Sequence, residues 1–416
     1  MLETNTIKEY AYSLGFDEVR ITNASTFTQA EQVTKERIAR GLFSGLSWFT
    51  AERAAVSCHP DALLPDAQSI ITLAFVYLTE QPTENIDNQP RGQISRYAWG
   101  DDYHDIIKPK LHQFAQWLRE YGATHLEQEL ETRIFVDTGR MVDRAAAQRS
   151  GLGWYGKNTN ILTKNWGSWV FLAEIVTNLP LAIDEPLKSN CGSCEICLHA
   201  CPTGALPDPY ELDSNKCISY LTIELRGSIP VELRPLMGNL IFGCDICQQV
   251  CPVNKVVEKR LYANQQGEKS LIGIQTIKKR EKNTSLQAHQ EFLPRPATGS
   301  SPELIPLLSL TEDEFRERFR KSPIKRTKRR GLLRNVCVAL GNIGDPQAIP
   351  ALINALHDQE SLIRGHAAWA LGKIGGDAAL EALKKAYETE VDEDVKKEIV
   401  YALSLINQTS LEKMRP

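Results

Sequence analysis

Eight of the chain's ten cysteines fall between residues 191 and 251, and their spacing constrains the fold more than any other feature. Residues 191 to 202 read CGSCEICLHACP and residues 244 to 252 read CDICQQVCP, with Cys217 alone between them. Thiols this dense serve as disulfides or as metal ligands, and the two roles need different redox compartments. The sequence does not open on a basic start, an apolar stretch and a small-residue cleavage site; MLETNTIKEYAYSLGF has the pattern of a short amphipathic helix. The longest apolar run, SIITLAFVYL (69 to 78), is far too short to span a bilayer. The expectation is a cytoplasmic protein, off the membrane, whose clustered cysteines bind metal.

C-x2-C-x2-C-x3-C-P is the run that holds [4Fe–4S] clusters in bacterial ferredoxins, where three cysteines bind one cluster and the fourth reaches the other. A partner run is then required. CDICQQVCP supplies it, but Ile241 stands where its first cysteine belongs, and Cys217 fills that vacancy from a distance. The ligands divide into Cys191, Cys194, Cys197 and Cys251 for one cluster, and Cys201, Cys217, Cys244 and Cys247 for the other. Two four-cysteine zinc sites would use the same number of thiolates, although zinc knuckles need neither the Cys-Pro ends nor a crossed fourth ligand. Cys337 reads as core and Cys58 as a free thiol.

A chain of 416 residues is too long for one ordinary core. Residues 1 to 185 read as mixed α/β. SIITLAFVYL, RIFVDT (133 to 138) and GSWVFLAEIVTN (167 to 178) look like buried strands; IIKPKLHQFAQWLREYG (106 to 122) looks like a helix with Leu111, Phe114, Trp117 and Leu118 on one face. Residues 186 to 255 hold the eight clustered cysteines among many Gly and Pro. Residues 256 to 300 are polar and poorly periodic and read as a basic linker or insertion, mostly loop. Residues 301 to 416 are helical and repetitive: ALGNIGD (339 to 345) returns as ALGKIGGD (370 to 377), and IVYALS (399 to 404) is a weaker third copy. Such repeats stack into a small solenoid and are similar to HEAT repeats.

The formal charge of −4 hides an asymmetry, because residues 255 to 335 carry 19 Lys and Arg against 9 Asp and Glu. Nine basic residues and a single Glu fall in FRERFRKSPIKRTKRRG (315 to 331), directly before the first repeat. A charge run is usually a solvated face; in an otherwise acidic chain this one also fits an anionic partner. GLGWYGKN (151 to 158) matches G-x-G-x-x-G, yet MVDRAAAQRSG before it reads as a helix where a dinucleotide site needs a strand, so nucleotide binding is not expected. The alternative is that this amide-rich turn presses against a large flat cofactor.

FVDTG (135 to 139), GLGWYGKNTNILT (151 to 163), GSWVFLAEI (167 to 175), the eight cysteines, CISYLTIE (217 to 224) and SPIKRTKRRGLLRN (322 to 335) together make the chain resemble the epoxyqueuosine reductases over nearly its whole length. The resemblance implies a nitroreductase-like α/β domain, related to that of the reductive dehalogenases, which binds cobalamin (vitamin B12, resting as cob(II)alamin). It also implies a ferredoxin-like domain with two [4Fe–4S] clusters, followed by the repeats. The implied reaction is reduction of epoxyqueuosine to queuosine at the wobble position of tRNA by Co(I) cobalamin, fed by the clusters from an unidentified low-potential donor. The cofactor carries the difficult chemistry and the protein supplies orientation, electrons and protons.

Residue by residue, the resemblance implies Asp137 as proton donor, a task a carboxyl performs at neutral pH where burial raises its pKa. Cobalamin contacts carry over to Asp137, Lys157, Asn158, Ser168, Ser219 and Asp245. Anticodon-loop contacts carry over to Arg226, Lys325, Arg326, Arg329 and Arg330, and a monomer is expected. Two rival functions remain. One is a dehalogenase-like cobalamin reductase, which would have no use for a basic helical tail. The other is an iron–sulfur electron carrier or scaffold, which would leave the first 185 residues and Asp137 unexplained.

Overall fold

The computed structural model describes residues 4–80, 82, 87–125, 129–137, 139–265, 289–296 and 299–413. Its centre in the first half is the strand Ser69–Val76, buried at every position. This strand pairs antiparallel with Glu18–Asn23 on one side and with Val170–Thr177 on the other, and Thr132–Val136 adds to the far edge of Val170–Thr177. Helices cover both faces of the four-stranded sheet, which is why SIITLAFV is a continuous apolar run without alternation.

On one face lies the helix Tyr103–His125, with Ile107, Leu111, Phe114 and Leu118 buried at helical spacing. It begins three residues before the expected start, and Trp117 is only partly buried in that face, where it stacks on Tyr10 of Thr4–Ser13 with ring centroids 4.2 Å apart. On the other face lies the short helix Asp143–Arg149, whose buried Ala145, Ala146 and Ala147 let its backbone approach the sheet closely.

The stretch after the last cysteine, expected to be mostly loop, begins as a helix, Pro252–Gln265. Pro252 opens its first turn, where a missing N–H costs nothing, and Asn254, Val257 and Leu261 form its buried face. That spacing was readable in the sequence and was obscured by the surrounding lysines. Residues 266–288 of the expected insertion lie outside the described residues.

The composition boundaries at 185, 255 and 300 do not separate the cores. Gln93–Ile94 pairs in parallel with Leu240–Phe242 across the first boundary. One hydrophobic core runs from Trp99 through Ile218, Leu221 and Phe242 into Leu333, Val336 and Trp369 of the repeats, with Cys337 inside it as expected. Arg334 and Asn335 fasten this junction. Arg334 is fully buried and donates to the carbonyls of Leu221, Leu225 and Gly227 at 2.6, 2.8 and 2.7 Å, while Asn335 donates to those of Thr222 and Ile241, each at 2.8 Å.

The repeated ALGxIG motif has a packing explanation. A Cβ on Gly341 would stand 2.9 Å from the Ala370 Cα, and one on Gly372 would stand 2.6 Å from the Ala402 Cα. Each glycine therefore marks where Lys328–Ile343, Ser361–Ile374 and Glu393–Lys413 cross in succession. The second glycine of each copy, Gly344 or Gly375, ends its helix at φ 75°. The first repeat helix starts at Lys328, inside the basic stretch and not after it.

Candidate functional site

Seven of the eight clustered cysteines lie on two short helices that pack together, Ile196–Ala200 and Ile246–Gln249, and on the turns around them, while Cys217 precedes the helix Ile218–Ile223. Burial raises the thiols of Cys197, Cys217, Cys244, Cys247 and Cys251, and the thiols that raise them further reveal the neighbours. Cys197 is raised further by Cys251, Cys191 and Cys194, and Cys251 by Cys191 and Cys194. Cys244 is raised by Cys217 and Cys201, and Cys247 by Cys244 and Cys217. These thiols influence one another within the same two sets that the sequence pattern paired, although among the described residues no three of them stand close enough to hold one metal ion.

The chemistry around the first group suits a sulfur-rich cluster. Trp154 is packed with Leu162 and Cys251, with Cys191 alongside. Its indole N–H is buried and has no acceptor among the described residues. A cluster sulfur would satisfy it, and hydrogen bonds of this kind tune cluster potentials.

The expected cofactor contacts gather around the second group. Asn158 donates to the Cys247 carbonyl at 3.2 Å, and the Asn160 amide lies 4.0 Å from the Cys247 sulfur. Ser168 donates to Gln248 at 2.8 Å and accepts from Asn254 at 2.8 Å. Ser219 is half-buried two residues after Cys217. Lys157 is buried and pairs with Glu195 at 3.1 Å. Asp245 is bonded within the protein through both oxygens, accepting from the Ser95 hydroxyl at 2.5 Å and the Arg96 N–H at 2.6 Å, so it acts by holding that loop. These neutral amides and hydroxyls beside a cluster fit a large ring that carries amide arms.

Asp137 follows the edge strand Thr132–Val136 with φ 48°, a left-handed conformation that aspartate tolerates better than most residues. It is exposed, not buried as expected. Its Oδ2 accepts a hydrogen bond from the Tyr103 hydroxyl, whose ring stacks on Phe171 with centroids 4.3 Å apart. Burial and then the Asp137 charge push the Tyr97 and Tyr103 phenols well up. Tyr97 also feels Asp245, so it stands between Asp137 and the loop that carries Cys244 and Cys247.

The basic residues divide into two sorts. Lys325 and Arg326, in the turn Pro323–Thr327, pair with Asp102 at 2.9 Å and Glu224 at 2.5 Å and remain part-exposed. Burial works against the Arg326 charge, but Glu224, and more weakly Asp137 and Tyr103, hold its pKa above the ordinary value. Arg226 donates to the Arg326 carbonyl at 2.9 Å and so lies next to Arg326, whose own charge feels Asp137. Arg330 faces Glu360 at 3.9 Å and stays part-exposed. Arg329 instead reaches inward, to the Leu310 carbonyl and to Asp358, each at 2.5 Å, and serves the fold.

Sequence reasoning missed Tyr97, Tyr103 and the pair Asp143 and Glu174. Tyr103 gave no signal beyond lying next to His104, whose Nδ1 is 2.9 Å from Asp102. Glu174 did give one: it is a carboxylate in the middle of the apolar strand VFLAEIVT.

The chain's likeness to known proteins agrees with this geometry. The family pattern for epoxyqueuosine reductase QueG (DUF1730) matches residues 58–138, that for a 4Fe-4S double cluster binding domain matches 190–254, and that for HEAT repeats matches 326–404. A solved structure of epoxyqueuosine reductase with a tRNA-Tyr epoxyqueuosine-modified stem loop is 36% identical with a TM-score of 0.84, covering 97% of this chain and 98% of that one. A Bacillus subtilis epoxyqueuosine reductase, solved with its catalytic aspartate loop swung out of the active site, is 35% identical with a TM-score of 0.82 over 97% of this chain and 98% of that one. Epoxyqueuosine reductase of Bacillus subtilis (strain 168) is 36% identical over 408 residues, 97% of this chain and 96% of that protein. Two four-cysteine groups, a helical repeat tail and this near full-length identity agree: the chain belongs to the epoxyqueuosine reductase family.

Proposed function

We propose that the chain reduces epoxyqueuosine to queuosine in the anticodon loop of a tRNA, with Asp137 as proton donor. The observation that carries the reading is a convergence around Asp137. Tyr103 orients the carboxylate, Arg326 and Arg226 supply positive charge beside it, and Tyr97 links it to the Cys244–Asp245 loop. Proton source, phosphate-binding surface and electron source thus open on one place.

The two thiol groups hold the two [4Fe–4S] clusters, Cys191, Cys194, Cys197 and Cys251 for one and Cys201, Cys217, Cys244 and Cys247 for the other. The sheet domain is read as the nitroreductase-like unit that binds cobalamin. Lys157, Asn158 and Ser219 would hold the cofactor's edge, with Ser168 and Asp245 supporting them through Gln248 and Ser95. Cobalamin, when bound, supplies a strongly reducing cobalt centre. Asp137, exposed at the mouth, meets the substrate and delivers a proton to the epoxide oxygen. Lys325, Arg326, Arg330 and Arg226 track tRNA phosphates, which position the splayed base without reading it. No helix among the described residues is long and apolar enough to cross a membrane, which suits an enzyme working on tRNA in the cytoplasm.

The test is anaerobic reconstitution with iron, sulfide and cobalamin, followed by incubation with a chemical reductant and tRNA bearing epoxyqueuosine. Nucleoside analysis should find queuosine. Unchanged epoxyqueuosine with both clusters and cobalamin bound would refute the reading.

A further inference from the structure

Removing the epoxide oxygen takes more protons than one carboxyl holds. Epoxyqueuosine differs from queuosine by one oxygen, and its removal breaks two carbon–oxygen bonds, forms a carbon–carbon double bond and releases water. The balance is two electrons, which the reductase activity supplies, and two protons. Asp137 supplies one proton and is then a carboxylate.

Beneath Asp137 lies a feature that this single proton transfer does not use. Glu174 is fully buried in the Val170–Thr177 strand, directly opposite Phe135 and so two residues from Asp137 along the neighbouring strand. Both of its carboxylate oxygens lack a donor among the described residues. Asp143, the first residue of the helix laid across this face of the sheet, is partly exposed as a residue, but its Oδ1 is buried and equally without a donor. Two such carboxyls side by side satisfy each other only if one carries a proton and donates it to its partner. Among the described residues no other donor reaches them: the cross-strand neighbours of Glu174 are Phe135 and Thr72, and the Thr72 hydroxyl is engaged with Ser150 at 2.7 Å.

We propose that Glu174 and Asp143 share a proton kept in reserve for Asp137, and that it is the second proton of each turnover. After Asp137 protonates the oxygen and the first carbon–oxygen bond breaks, the shared proton passes to the Asp137 carboxylate. Asp137 then delivers it to the same oxygen, which leaves as water as the second bond breaks and the double bond forms. The pair is refilled between turnovers by way of Asp137, which solvent reaches. Glu174 and Asp143 act through Asp137 and position its proton supply without touching substrate.

The electrostatics support this arrangement. Burial drives the Glu174 carboxyl well up and raises that of Asp143 to about 7, and the Asp137 charge raises both. The other charged or titratable groups facing the pair are Arg144, which opposes the shift of Asp143, and the Tyr155 phenol, itself pushed up by burial to about 12. A carboxyl raised in this way holds its proton below its titration point and loses it as pH rises through that point. The two groups titrate as a unit.

The inference rests on the proposed reaction, and its test separates the two. In single turnovers of the reconstituted enzyme, the parent's rate should fall about tenfold per pH unit once the pair loses its shared proton, a loss that burial of Glu174 moves well above the usual carboxylate range. Glu174→Gln should lower the rate about tenfold or more below that point and flatten this limb, with tRNA affinity and cluster spectra unchanged. Asp143→Asn should do the same, and the double variant should be no worse than either single one. Independently of turnover, infrared spectra of the parent should contain a protonated carboxyl band that persists well above the usual carboxylate range and is absent from Glu174→Gln. A parent without that band, or a Glu174→Gln enzyme with the parent's pH profile, overturns the inference. A parent that has the band but forms no queuosine overturns the proposed reaction instead.

Discussion

The Tyr103 hydroxyl donates to the Oδ2 of Asp137, joining the first residue of the helix Tyr103–His125 to the loop that ends the edge strand Thr132–Val136. The two residues are 34 positions apart, and the contact aims an exposed carboxylate that its backbone alone leaves free to turn. Tyr103 is itself clamped between His104 and Phe171, with ring centroids 4.2 and 4.3 Å away. Asp137→Asn should retain both clusters and lose about 10² to 10⁴ in single-turnover rate, the usual contribution of a general acid. Tyr103→Phe should cost less, about tenfold, because the acid survives and only its aim is lost. Near-parental turnover by Asp137→Asn would remove it from the reaction.

The cysteine groups predict crossed damage. Cys201 is close in sequence to Cys197, yet its thiol neighbours Cys217 and Cys244. Cys201→Ala should therefore damage the cluster that Cys244 and Cys247 hold and spare the one on Cys191 and Cys194. The parent should contain about eight irons per chain, and paramagnetic resonance of the variant should retain a single cluster signal. Trp154→Phe, which removes an indole N–H beside Cys251, should move only the spared cluster's potential to a more negative value. Zinc in place of iron in the parent would defeat both expectations.

Much of this was legible from residue spacing. The eight cysteines, the apolar strands Ser69–Val76 and Val170–Thr177 and the repeated ALGxIG motif are local patterns, and each corresponds to one local structure; Thr132–Val136, expected to be buried, is instead an edge strand in which only Val136 is buried. What was not legible depends on contacts between distant segments. Tyr103 meets Asp137 only because a helix and an edge strand finish at the same end of the sheet. Arg329 and Arg330 are adjacent and chemically identical in sequence, yet Asp358 claims one and solvent reaches the other. Arg334, read as part of a basic motif, is a buried clasp because its partners are carbonyls more than a hundred residues away. The burial expected of Asp137 belongs instead to Glu174, whose place in the strand was visible and whose relation to Asp137 was not.

The solenoid offers a test of packing alone. Gly372→Ala would place a methyl 2.6 Å from the Ala402 Cα, a backbone atom that cannot swing aside. Overpacking of this kind typically costs about 1 to 3 kcal/mol. Denaturant unfolding should show that drop in stability while cluster content holds, and Gly365→Ala, whose nearest neighbour is the Glu398 side chain at an ordinary contact distance of 3.4 Å, should be far milder. Equal effects at the two glycines would mean that the repeated motif marks something other than close helix crossing.

The last prediction separates the two sorts of basic residue. Lys325, Arg326 and Arg330 keep part of their charge at the surface while paired with Asp102, Glu224 and Glu360. The part-exposed pairs of Arg326 and Arg330 contribute little to stability, whereas Lys325 answers the buried Asp102, so a triple variant that reverses Arg326 and Arg330 to Glu and changes Lys325 to Gln should leave cluster content nearly unchanged. If each meets a phosphate, tRNA affinity should fall strongly, and the slope of log affinity against log salt should flatten by about 0.7 to 0.9 for each phosphate that is no longer neutralised. Arg329→Glu should behave in the opposite way. It would place a carboxylate beside Asp358 and leave the Leu310 carbonyl without its donor, so its main effect should be lower stability, with a salt slope close to the parent's. Measuring affinity at a series of salt concentrations, together with thermal unfolding of each variant, checks both halves. A triple variant that binds tRNA with the parent's salt slope would make this stretch an ordinary solvated face, and an Arg329→Glu protein as stable as the parent would return Arg329 to the binding surface.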